Sequence, residues 1–151
     1  MGSQLKIRLA QRNDLASIER CADEAYEIYV ARIGRKPAPM IADFASQIAL
    51  GIVHVVEEDA QILGFVVFYP RDDHVHLENV AVRRCAQGRG LGARLIDHVE
   101  LGALEHGASR VELYTNEKMR ENVPYYLARG YVETGRRSED GFDRIFFEKA
   151  L

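Results

Sequence analysis

The stretch that most constrains this chain runs from Leu77 to Gly107. It opens with Leu77-Glu78-Asn79-Val80-Ala81-Val82, a valine-rich alternating segment that predicts a strand. After Arg83-Arg84-Cys85-Ala86 comes Gln87-Gly88-Arg89-Gly90-Leu91-Gly92-Ala93, whose glycines permit a tight turn and a close approach of ligand to backbone. Leu91, Leu95, Val99 and Ala103 then share one side with Ile96, while Arg94, Asp97, His98 and Glu100 fill the other. That spacing predicts an amphipathic helix ending at His106-Gly107. A strand, a glycine loop and a helix start make an anion site, because unpaired N–H groups and the positive end of the helix dipole meet there. Arg83, Arg84 and Arg89 are expected to add positive charge, and the expected ligand is a phosphate or pyrophosphate.

Three phosphate loops compete for this segment. A Walker A loop ends in Gly-Lys-Ser/Thr, whereas this one ends Gly92-Ala93-Arg94 and is excluded. Gly88, Gly90 and Ala93 satisfy the dinucleotide fingerprint G-x-G-x-x-G/A, but that motif belongs among further parallel strands. The third pattern, Gln-x-x-Gly-x-Gly, is met by Gln87, Gly90 and Gly92. The bland alternative is a glycine turn with no ligand.

The flanking pattern decides among these. Leu5, Ile7 and Leu9 alternate with Lys6 and Arg8, which predicts a first strand. Asn13-Asp14 starts a helix that carries Leu15, Ile18, Ala22, Ala25 and Tyr26 to about Ala31. A basic, proline-bearing loop follows over 32–40, then a short helix over Ile41 to Leu50. Strands are predicted over Ile52–Val56, Ile62–Tyr69 and His74–Val82, joined by short polar turns. Three such strands form an antiparallel meander, which argues against the dinucleotide reading. Arg110–Thr115 predicts the next strand, reached through a right-handed parallel crossover. Asn122 is the expected cap of a helix with Pro124 in its first turn, ending at Arg129-Gly130. Tyr131–Arg137 and Arg144–Glu148 close the sheet around the Asp140-Gly141 turn. The result is a single α/β domain over 1–151, a mixed and mostly antiparallel sheet flanked by helices in the order β-α-α-β-β-β-α-β-α-β-β.

In that order, with Ala81-Val82 ahead of Gln87-x-x-Gly90-x-Gly92 and Asn122-x-x-x-Tyr126-x-x-x-Gly130-Tyr131 behind, the chain resembles the GCN5-related N-acetyltransferase (GNAT) family over nearly its whole length. The resemblance implies transfer of an acetyl group from acetyl-CoA to a primary amine, by direct attack in a ternary complex. It implies a parting of the fourth and fifth strands, with Val80, Ala81 and Val82 serving the acetyl-pantetheine arm. Gln87, Gly88, Arg89, Gly90, Leu91, Gly92 and Ala93 would hold the pyrophosphate, and Asn116, Asn122 and Tyr126 would border the cofactor. Tyr126, four residues before the Gly-aromatic pair, would be the general acid; its neighbour Tyr125, about 100° round the helix, would face elsewhere. Glu78 or His76 would relay the amine proton, since strict alternation puts His76, Glu78, Val80 and Val82 on one strand face. The 32–40 loop would help form the acceptor site. A CoA-binding module without turnover and, further off, a nucleotide-dependent oxidoreductase stay open.

Composition limits the rest. A net charge of −3 gives no nucleic-acid footprint. Cys21 and Cys85 have no metal spacing, no metal is expected, and two unpaired thiols suit the cytoplasm. No apolar run reaches the ~20 residues needed to span a membrane, and no signal peptide is visible. Lys6 stands where a myristoylation signal at Met1-Gly2 would need Ser or Thr. Expected partners are a small-molecule or peptide amine and, through the aromatic end Phe142, Ile145, Phe146 and Phe147, a second copy in a homodimer.

Overall fold

The computed structural model describes residues 4–151, so the Met1-Gly2 start and the first positions of the expected domain lie outside the described residues. Seven strands form one sheet: β1 (Leu5–Leu9), β2 (Val53–Glu58), β3 (Gln61–Pro70), β4 (His74–Val82), β5 (Arg110–Asn116), β6 (Val132–Glu139) and β7 (Phe142–Ala150). Their order is β1-β2-β3-β4-β5-β7-β6. Every pairing is antiparallel except β4 with β5, the two strands joined through the crossover helix. Helices α1 (Leu15–Ile33) and α2 (Phe44–Ala49) cover one face; α3 (Leu91–Glu105) and α4 (Asn122–Ala128) cover the other. The element order is the expected one, and the meander β2-β3-β4 excludes a doubly wound sheet.

The apolar periodicities explain the two layers. Leu91, Leu95, Ile96, Val99 and Ala103 of α3 pack with Val56, Leu63, Val66, Val75, Leu77, Val111 and Leu113. Ile18, Cys21, Ala22 and Tyr26 of α1 pack with Phe44, Val53, Val55, Phe65, Val67 and Ala81. The aromatic end is mostly internal: Ile145 and Phe147 lie in the α3-side core. Arg35 covers the Phe142 ring at 3.7 Å and Arg137 covers Phe146 at 3.9 Å. These residues fill the fold or are capped by cations, so they do not present a bare apolar surface to a second copy.

Three expectations change. The helix expected over Ile41–Leu50 is shorter, because the Asp43 carboxylate accepts from the Ser46 N–H (3.2 Å) and Ser46 Oγ (2.7 Å) and so caps a helix that begins at Phe44. Asn122 does not cap α4; it is that helix's first residue, and its side chain bonds β5 instead. Strict alternation also fails on β4. Val67 pairs with Asn79 but Phe68 pairs with Leu77, so Glu78 is an extra residue, a β-bulge. Before it, Val75 and Leu77 face α3; after it, Val80 and Val82 do, while Ala81 turns to α1. His76 is therefore not on the face of Val80 and Val82, because one inserted residue exchanges the two sides of a strand.

Candidate active site

β4 and β5 are paired only where His74–Leu77 lies beside Arg110–Leu113. β5 then stays with β7 as far as Asn116, while β4 stays with β3 as far as Val82. The two strands part just beyond the bulge. On the open side of β4 the Val80 carbonyl accepts from the Tyr26 hydroxyl at 2.9 Å, and the Val82 carbonyl accepts from Gln87 Nε2 at 3.2 Å. A strand residue sends its N–H and C=O to the same side. The N–H groups of Val80 and Val82 therefore also face the gap, away from β3.

A cavity of about 390 Å³ fills the parting. Of the expected site residues, Glu78, Val80, Ala81, Val82, Gln87, Gly92, Asn116, Asn122 and Tyr126 border it, whereas His76, Gly88, Arg89, Gly90, Leu91 and Ala93 do not. The glycine loop closes one end. Gly88 and Gly90 hold φ of 84° and 77°, and Gly90 caps α3 by accepting the Arg94 N–H at 3.1 Å. A Cβ at either position would meet nothing within 4 Å, so conformation rather than crowding requires glycine there. At Gly92 the reason is contact: a Cβ would stand 3.2 Å from the Tyr125 hydroxyl. The first turn of α3 leaves its leading N–H groups without helical partners. Leu91 is 1% exposed, so its side chain is core and only its backbone faces the site.

The loop's cations are not free. Arg83 bonds Glu24 at 3.0 Å, Arg84 bonds Glu27 at 3.0 Å, and Arg89 makes a two-pronged contact with Glu58 at 2.8 and 3.1 Å. What the loop leaves free for an anion is thus backbone amide more than arginine charge. Asn122 Nδ2 donates to Thr115 Oγ1 at 2.9 Å, and Asn116 Oδ1 accepts from the Lys118 N–H at 2.9 Å, so both asparagines brace the end of β5 where it borders the cavity.

Tyr126 sits in the α3-side core against Tyr125, Tyr131 and Phe147, with ring centroids 5.4, 5.8 and 5.9 Å away. Its hydroxyl makes no hydrogen bond among the described residues, and the residue borders the cavity. Burial pushes the phenol well above its ordinary value, so it holds its proton at neutral pH. Tyr125 borders the same cavity, beside the helix start at Gly92, and does not face elsewhere.

Glu78 projects from the bulge. Its carboxylate lies 2.6 Å from His76 Nε2 and 3.5 Å from the Tyr114 hydroxyl. His76 packs between Tyr69 and Tyr114 and borders a smaller hollow with Arg71, His74, Glu112 and Arg137. The pair thus joins the two hollows, Glu78 in one and His76 in the other.

Beyond the 32–40 loop, sequence reasoning missed the side chains on the α1 side of the cavity. Asn79 is 4% exposed; its Oδ1 accepts from the Tyr26 hydroxyl at 2.7 Å, and its Nδ2 donates to the Pro39 carbonyl at 2.9 Å. That clasp holds Pro37, Ala38 and Pro39 over the cavity, beside Tyr29, Phe142 and Arg144. Arg35 adds a second tie, donating to the Asp140 carbonyl at 2.7 Å. The 32–40 loop therefore roofs the site. The available signal was an uncharged amide inside a valine-rich strand, with Tyr26 and Tyr29 one helical turn apart. Among the described residues no group of three His, Cys, Asp or Glu is placed to hold a metal.

A mixed sheet that opens between its parallel pair, beside a glycine-capped helix, is the architecture of an acyl-transfer fold. The chain matches the model of the Acetyltransferase (GNAT) family over residues 15–131 and belongs to that family. No curated protein sequence matches it. Solved structures do. PaiA N-acetyltransferase from Thermoplasma acidophilum, in complex with coenzyme A, has a TM-score of 0.78 at 15% identity, covering 98% of this chain and 99% of that one. YncA from Salmonella typhimurium, with its cofactor acetyl-CoA, has a TM-score of 0.74 at 19% identity, covering 99% and 95%. The ribosomal-protein-S18-alanine N-acetyltransferase from Escherichia coli has a TM-score of 0.72 at 16% identity, covering 98% and 94%. At these identities the likeness is one of fold.

Proposed function

We propose that this chain transfers the acetyl group of acetyl-CoA to a primary amine by direct attack within a ternary complex. The observation that carries the reading is the parting of β4 from β5, with the Val80 and Val82 N–H groups facing a cavity that ends at the α3 start. The pyrophosphate of the co-substrate fits the amides of Gly88 to Ala93, where the Cβ positions of Gly88 and Gly90 are open. The pantetheine arm would run along Val80–Val82, and the strand N–H groups would receive the charge that develops on the acetyl oxygen.

The chemistry then balances on three groups. Glu78 takes a proton from the ammonium, directly or through water, and hands it to His76 and the outer hollow. The amine nitrogen bonds the acetyl carbon, the C–S bond breaks, and Tyr126 donates its proton to the departing sulfur. Burial raises the Tyr126 phenol, which keeps the proton available at rest but makes it a weaker acid than a phenol near ~10 facing a thiol near ~8.5. Full transfer therefore has to coincide with C–S cleavage and with loss of the amine's second proton, which returns through water to the Tyr126 phenolate and restores the phenol.

Free thiols at buried Cys21 and exposed Cys85 suit a cytoplasmic setting, and among the described residues no helix is long and apolar enough to cross a membrane. With the aromatic end internal, the outer edges of β1 and β6 are the sheet surfaces open to a homodimer, which light scattering would decide. The test of function is a melting series with acetyl-CoA, NAD and ATP, followed by CoA release across amines. A ligand at ~100 times its dissociation constant stabilises by about 2.7 kcal/mol, so acetyl-CoA alone should raise Tm clearly. A shift with NAD or ATP but none with acetyl-CoA overturns the reading. Acetyl-CoA binding without CoA release from any amine favours a binding module.

A further inference from the structure

Arg144 has a use that the transfer chemistry does not claim. It lies on β7 opposite Asn116 of β5, and its side chain is only 7% exposed. Its guanidinium sits 4.4 Å from the Tyr114 ring centre and 5.7 Å from that of Phe142. Nη1 is spent on Glu139 at 3.0 Å and Asp140 at 3.6 Å. Nε and Nη2 make no hydrogen bond among the described residues. They are not sealed in either, because Arg144 borders the cavity and neither atom is among the buried, partnerless nitrogens. Donors that open onto a cavity and meet no protein acceptor are free to serve a ligand's acceptor. Its planar fork matches a carboxylate held by two parallel N–H bonds.

Glu78 stands at the hydroxyl of the ring whose face Arg144 covers, 3.5 Å from that oxygen. Burial first and the Glu78 charge second push the Tyr114 phenol up to about 12, so a neutral ring separates an anion from a cation. The cavity thus offers a carboxylate for an ammonium and an arginine edge for a carboxylate, under the Pro37–Pro39 roof. Its volume of about 390 Å³ must also take the acetyl end of the co-substrate, which leaves room for a small acceptor. A polyamine or lysine-rich peptide would bring a second ammonium against Arg144. We propose that the acceptor is a free α-amino acid, with its carboxylate on Arg144 and its amine toward Glu78. This rests on the acetyltransferase reading above.

The experiment uses the full chain and matched sets: the protein amino acids, their α-amides and their decarboxylated amines, scored by CoA release from acetyl-CoA. At least one acid should exceed its own amide and amine by about 10–10²-fold in kcat/KM, the size expected for a single charge-assisted hydrogen bond. Arg144→Gln should remove most of that preference while leaving the KM for acetyl-CoA unchanged, and Arg144→Lys should restore part of it. The wild-type comparison needs no folded variant. Amides or decarboxylated amines used as well as the acids overturn the proposal and leave the transferase intact. No release with any member of the three sets overturns the proposal, and the melting shift with acetyl-CoA then reports on the transferase reading separately.

Discussion

The two ends of the cavity are built from different material. The end at α3 is made of backbone: strand N–H groups of β4, glycines at positive φ and the leading amides of a helix. The end under α1 is made of side chains drawn from far apart in the chain: Tyr26, Asn79, Tyr114, Phe142 and Arg144, clasped to the Pro37–Pro39 turn. A site made of backbone needs glycine at fixed intervals, and those intervals are visible as a motif. A site made of side chains has no required spacing, because the sheet brings its members together.

The largest effect expected tests the residue that stands between the two ends. Tyr126→Phe keeps the ring among Tyr125, Tyr131 and Phe147 but removes the proton. Loss of positioned acid catalysis is worth ~10²–10⁴-fold, so kcat should fall by that much with acetyl-CoA affinity and Tm nearly unchanged. Steady-state CoA release with separate calorimetry measures both, and near-normal turnover would remove the acid role. Gly90→Val addresses the backbone end. A branched side chain at φ 77° costs about 1–2 kcal/mol. Acetyl-CoA affinity should drop by about tenfold or more as the α3 start shifts, a factor that corresponds to about 1.4 kcal/mol. A folded variant with unchanged affinity would mean that the loop does not hold the co-substrate.

Tyr125→Phe is expected to act more mildly. The hydroxyl lies beside Gly92, so its loss should weaken acetyl-CoA a few-fold and leave the preference among acceptors alone, about 0.5–1.5 kcal/mol for one neutral hydrogen bond. A change in acceptor preference with no change in acetyl-CoA affinity would place Tyr125 at the wrong end. The last effect bears on stability on the α3 side and leaves turnover at neutral pH unchanged. His54 stacks on Phe68 at 5.1 Å and faces His98 at 5.0 Å, and burial, with His98 adding to it, pulls its value from 6.5 down to about 4. The unfolded chain therefore binds more protons than the folded one between those values. Stability from His54 is complete above about pH 6.5 and is lost as pH falls toward about 4. Tm measured from pH 7 to 4.5 should decline less steeply in His54→Phe than in the natural chain; equal slopes would assign the acid sensitivity elsewhere.

The sequence carried the element order and the glycine loop well, because apolar periodicity and positive-φ glycines are local signals. It failed where geometry departs from regularity or depends on distant partners. Alternation put His76 on the wrong face because nothing in Leu77-Glu78-Asn79 announces an extra residue. Arg83, Arg84 and Arg89 read as ligand-binding charges because Glu24, Glu27 and Glu58, which hold them, come from other elements. The angle of about 100° between Tyr125 and Tyr126 about the helix axis suggests that only one of them faces the site. A phenol is long enough that both reach one cavity, one over the helix start and one through the core.

The bulge at Glu78 has a further consequence for how β4 tolerates change. The strand is two half-waves joined out of phase, and Glu78 is the joint. Deleting that single residue would restore one continuous period and leave every face as it is: Leu77 would be followed directly by Asn79 toward α1, then Val80 and Val82 toward α3 and Ala81 toward α1. The Asn79 clasp and the amides facing the gap would be kept, and only the Glu78 carboxylate, with its contact to His76, would go. The joint can therefore be removed without re-registering the strand, so its presence answers to the site rather than to the sheet.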